Sequence, residues 1–136
     1  MDFIAGSIIL AGAVTAWAAI THAQLDSLSY ADRRVQARNA ATRALEEARA
    51  EGAAPLAAAP AATSPQGWRL LRTFTVAGLV PAGKEPVGRL EVRPLAVESD
   101  AEHADRPVFE VRATVQWKLL KGTGELEMST AIAGAP

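Results

Sequence analysis

The feature that most constrains this chain is a gap in its charge near the start. From Phe3 to Leu25 no residue carries a formal charge, and Asp2 and Asp26 bracket the run. Read as a helix rising about 1.5 Å per residue, it measures about 34 Å, enough to cross a bilayer core. Its polar groups are Ser7, Thr15, Thr21, His22 and Gln24. A helix absorbs hydroxyls by bonding them to its own carbonyls. The run therefore predicts a membrane span over residues 1–25, with Trp17 in the lipid core and His22 and Gln24 at the headgroup boundary. Two other readings stay open. Alanine fills much of the run, which also suits a buried core helix. Thr21-His22-Ala23 has the pattern of a small-residue cleavage site, but no Lys or Arg precedes the run, so the basic region of a signal peptide is missing.

The helical signal continues past Asp26. No Gly or Pro occurs from Ala13 to Glu51, and Ala, Arg, Glu and Gln dominate from Ala31 onward. Leu28, Ala31, Val35, Thr42, Leu45 and Arg49 fall near a 3.5-residue spacing, with Ala41 and Ala48 beside them. Arg33, Arg34, Arg38, Arg43, Glu46 and Glu47 take much of the remaining surface. This predicts an amphipathic continuation over 26–50, narrow enough to lie close along a sheet. The whole helix is expected from about Phe3 to Ala50.

Gly52 breaks the pattern, and 51–67 reads as an Ala/Pro linker, interrupted by Pro55, Pro60 and Pro65. The period then changes from helix to strand over 68–136. Phe109, Val111, Ala113, Val115, Trp117 and Leu119 alternate with Glu110, Arg112, Thr114, Gln116 and Lys118. Lys121-Gly122-Thr123-Gly124 supplies a turn. Leu126, Met128, Thr130 and Ile132 then alternate with Glu125, Glu127, Ser129 and Ala131. This predicts a terminal hairpin with one buried face, its core set by Phe109, Val111, Val115, Trp117, Leu126 and Met128. Two further strands are expected at Trp68 to Val76 and Gly88 to Val97, with Pro94 marking an edge or bulge. The polar loop from Glu98 to Arg106 separates them from the hairpin.

The fold class that follows is α+β, a long N-terminal helix laid by its second half on an antiparallel sheet of about four strands. The sheet's apolar face has only that helix half to cover it. The first half is left for lipid or for other helices, and Gly12, Ala16, Ala19 and Ala23 form a small-residue stripe that permits close packing.

Composition removes several kinds of activity from consideration. With 14 basic and 15 acidic residues and a net charge of -1, the chain has no electrostatic footprint for nucleic acid. Without cysteine there is neither a disulfide framework nor a thiolate zinc site. His103 lies among Glu98, Asp100, Glu102 and Asp105, but the segment has the composition of a solvated loop. A calcium site there matches no EF-hand spacing. Ser7, Ser27, Ser29, Ser64, Ser99 and Ser129 have no His and acid at a nucleophile's spacing. Gly122-Thr123-Gly124 precedes no helix and so is no phosphate cradle. The expectation is a protein that is not an enzyme and carries no cofactor and no metal.

The start of the chain, Met1-Asp2-Phe3-Ile4-Ala5-Gly6-Ser7-Ile8-Ile9-Leu10, resembles that of the type IV pilins. So do Arg33 to Arg49 with Leu45-Glu46-Glu47-Ala48-Arg49, and the final hairpin with Trp117 before a glycine-containing turn. The chain is most similar to the minor pseudopilins of type II secretion systems. Asp2 stands where such proteins usually have glutamate, and their basic leader with its glycine-phenylalanine cleavage point does not occur in the sequence. The resemblance implies a structural subunit of a type II secretion or type IV pilus-like envelope assembly. It implies a single pass through the inner (cytoplasmic) membrane, an extracytoplasmic C-terminal domain, and other pilin or pseudopilin subunits as partners. Asp2, Gly12, Ala16, Ala19 and Ala23 become its assembly residues. Arg33 and Arg34 after the span would by themselves place the C-terminal domain in the cytoplasm, and the resemblance places it outside. The alternative is a membrane-tethered binding or adaptor domain whose helix is a simple anchor.

Overall fold

A computed structural model describes residues 2–60, 64–95 and 107–134, with side chains described from residue 12 onward. The chain divides into two compact units, Met1–Arg33 and Arg34–Pro136. Helix α1 (Asp2–Glu51) accounts for the first unit and opens the second. A long N-terminal helix packed on a four-stranded antiparallel sheet is therefore what the chain forms, an α+β fold.

In the first unit the described residues from Gly12 to Tyr30 are exposed, apart from a half-buried Thr21. Thr15 and Thr21 donate their hydroxyls to the carbonyls of Gly12 and Trp17 one turn back, each at 2.9 Å, which is how an apolar helix absorbs such groups. Among the described residues no helix is long and apolar enough to cross a membrane. The side chains of residues 1–11, which open the uncharged run, lie outside the described residues.

In the second unit, α1 buries Ala37, Ala41, Ala44, Leu45 and Ala48. These recur at three- and four-residue intervals, one face of a helix. Of the expected face, Leu45 and the flanking Ala41 and Ala48 are buried, whereas Leu28, Ala31, Val35 and Arg49 are exposed and Thr42 is half-buried, so the buried face is turned toward the alanines. Small side chains won the face because they let the helix backbone approach the sheet closely. The bulk of the core comes instead from the sheet, from Leu90, Val92, Val111, Val115 and Trp117.

The sheet runs in sequence order, β1 (Arg69–Phe74), β2 (Gly88–Leu95), β3 (Val108–Lys118) and β4 (Thr123–Ala133), every pair antiparallel. β3 alternates between half-buried and buried residues up to Trp117, as the two-residue period of its sequence predicts, and β2 does the same from Gly88 to Arg93 before ending on the exposed Pro94 and Leu95. β1 pairs only as far as Val92, with a bulge between Leu70 and Arg72. Pro94, two residues beyond, thus has no β1 partner that its missing N–H could deprive. The β2–β3 connection, including the 98–106 loop, lies outside the described residues.

Two local expectations are corrected. The 51–67 stretch is not linker throughout: it holds a short helix α2 (Ala53–Ala57), and its Leu56 is fully buried in the core. Thr123 and Gly124 belong to β4 and not to the turn, which Leu119 closes by donating its N–H to the Gly122 carbonyl at 3.0 Å. Gly122, at φ 97°, supplies the left-handed backbone that this turn requires. Gly124 is small for another reason. It faces Trp117 across the β3–β4 ladder, and a Cβ there would overlap the indole. Gly88 seats the Phe74 ring against β2 in the same way.

Candidate functional site

The residues singled out from sequence fall in different parts of the chain. Asp2 lies outside the described side chains; Gly12, Ala16, Ala19 and Ala23 are exposed on α1 in the first unit, with open space around the Gly12 Cα. Phe109, Val111, Val115 and Trp117 are buried in the sheet core, and Leu126 and Met128 pack half-buried against it. His103 and its acidic neighbours lie outside the described residues. His22 is exposed on α1, and Ser64 accepts the Trp68 N–H at 3.1 Å, a structural bond. Among the described residues no three His, Cys, Asp or Glu side chains are grouped to hold a metal.

The face of the sheet away from α1 carries a feature that strand alternation alone did not disclose. Antiparallel register sets Arg93 beside Glu110 at 2.7 Å and Arg112 beside Glu91 at 2.8 Å. Arg112 grips Glu91 with both Nε and Nη2, and its Nη1 reaches Glu127 at 3.5 Å. Trp68 is buried on this face, outside the core beneath α1, with the Arg112 and Arg93 guanidinium carbons 4.0 and 4.6 Å from its ring centroid. A guanidinium over an indole face is held by the ring's quadrupole. The signal was present in the sequence as opposite charges on neighbouring strands (Glu91 and Arg93, Glu110 and Arg112). Reading it required the register. Beside this cluster a groove of about 230 Å³ opens between Arg89, Gln116, Glu125 and Glu127.

A second depression, of about 530 Å³, lies between the 39–47 stretch of α1 and the end of β1. Arg72 ties its walls together, donating to Glu51 at 2.9 Å and to Glu47 at 3.0 Å. It is a clamp between helix and edge strand, and its charges are already paired.

No family model, curated protein or solved structure matches the chain.

Proposed function

We propose that this chain is a structural subunit of a pilin-like envelope assembly, similar to the minor pseudopilins of type II secretion systems. In this reading the first half of α1 sits in the inner membrane and the sheet domain lies on the extracytoplasmic side. Other pilin or pseudopilin subunits pack against Gly12, Ala16, Ala19 and Ala23. The observation that carries the reading is the division of labour along one helix. Residues 37–48 are committed to the sheet, while Val14, Trp17, Ile20 and Leu25 are 57–70% exposed. Apolar side chains in such a row call for lipid or protein cover, and small residues among them favour close helix contact. The second reading, a membrane-tethered adaptor, draws on the charged groove of the outer sheet face.

Asp2 has a particular role in the first reading. A carboxylate at the head of an apolar helix is costly in lipid and gains from a partner, here the terminal amine of a neighbouring subunit. Because the chain has no cysteine, Ala16→Cys offers a clean crosslinking site. Full-length protein should stay with membranes through an alkaline carbonate wash, and Ala16→Cys should form disulfide-linked pairs there. Adding Asp2→Ala should leave membrane retention unchanged and sharply reduce the crosslinks. A full-length chain that is washed off and stays monomeric without detergent would overturn the reading. Crosslinks at wild-type yield with Asp2→Ala would remove the pairing role.

A further inference from the structure

The sheet has two edges, and they are treated differently. β1 is six residues long, is broken by a bulge, and carries Arg69 and Arg72, the latter tied to α1. Short, bulged and charged edges resist pairing with other chains. β4 runs eleven residues with no bulge in its register to β3, and contains no Pro, Lys or Arg. Among the described residues it pairs only with β3.

The direction of its free backbone groups follows from the two ends of the ladder. Leu119 N–H bonds the Gly122 carbonyl, and Gly134 N–H bonds the Pro107 carbonyl. Antiparallel bonding alternates, so the even-numbered residues of β4 bond β3. Glu125, Glu127, Ser129 and Ala131 therefore turn their N–H and C=O groups outward. Leu126, Met128 and Thr130 are only half-buried, although their β3 partners Val115, Ala113 and Val111 are fully buried. The opposite face of the same edge is acidic. Glu127 shares Arg112 with Glu91, and Glu125 accepts from the neutral Gln116 amide at 3.3 Å.

We infer that β4 is a docking edge for an extended segment of another protein, with Lys or Arg on one face and aliphatic side chains on the other. The segment adds as a fifth strand, its backbone bonding Glu125 to Ala131. Its basic side chains meet Glu125 and Glu127, and its apolar ones cover Leu126 and Met128. A second copy's β4 fits less well, since it brings the same two acids and no base. The inference uses only the sheet and does not depend on the helix reading above.

The test uses full-length protein in mild detergent and a synthetic ten-residue peptide of alternating Lys and Val. A second peptide is N-methylated at every other residue, which keeps its charge and removes its pairing amides. A third has the same composition in two blocks. The alternating peptide should bind, slow amide exchange at Glu127 and Ser129, and bind less at high salt. The N-methylated and block peptides should not. Ser129→Pro removes an outward N–H without touching the β3 ladder, so it should keep the melting temperature and weaken binding about tenfold or more. Glu127→Lys should weaken it severalfold. Equal binding of the N-methylated or block peptide, or unchanged exchange along β4, would overturn the inference. So would β4 amides already protected by self-association.

Discussion

The two faces of the sheet are built on opposite principles. The face beneath α1 is closed by fit: Trp117, Val111 and Val115 are fully buried, alanines bring the helix close, and Gly124 and Gly88 are hollowed to seat aromatic rings. The outer face is closed by charge: Arg93 and Arg112 pair with Glu110 and Glu91 and roof over Trp68. Both faces bury a tryptophan. Packed interiors lose energy with every atom removed or added. Ion pairs near water exchange one set of favourable contacts for another and contribute little net. Stability should therefore reside in the inner face, which leaves the outer face and its β4 edge free to change partners.

The largest expected effect tests the inner face directly. Trp117→Ala should cost about 3–5 kcal/mol, the range for emptying a large aromatic site that cannot collapse. A domain of this size has only about 5–15 kcal/mol in all, so the variant should melt far below the wild type. A melting temperature unchanged within error would mean that Trp117 does not anchor this face. Next in size is Gly124→Ala. A methyl group there meets the Trp117 ring, which is held on all sides, and overpacking of that kind costs about 1–3 kcal/mol. Urea denaturation gives the number. A neutral result would show that the indole can shift within its seat.

How far the sequence reveals this fold depends on how local each signal is. β3 and β4 could be read almost residue for residue because alternation is a property of adjacent positions. The helix could be placed because nothing from Ala13 to Glu51 breaks it. The phase of its buried face could not, since alanine suits either side of a helix and the choice is made by distance to the sheet. Leu56 was hidden among prolines and alanines, where one leucine has no period to declare it. Gly124 reads as a turn residue until Trp117 is known to face it. Trp68, four residues after Ser64 and just before β1, acquires its place only from Arg93 and Arg112 on two other strands. The outer-face cluster and the open edge are tertiary facts of this second kind.

The smallest effect is expected on the outer face, and it sharpens the contrast. Arg112 and Glu91 side chains are 21% and 15% exposed, and the pair is held by two hydrogen bonds. Their partial burial and two-point geometry raise the interaction above that of a typical surface ion pair, while solvent and the competing Glu127 hold it down. A double-mutant cycle of Arg112→Met and Glu91→Gln should give a coupling of about 1 kcal/mol. That coupling should shrink at high salt. Arg112→Met alone should cost more than the coupling, because it also uncovers Trp68 and leaves Glu127 without its cation. Tryptophan emission should shift to the red in that variant and not in Glu91→Gln. A coupling as large as the loss in Trp117→Ala would mean that charge, and not fit, holds this sheet together.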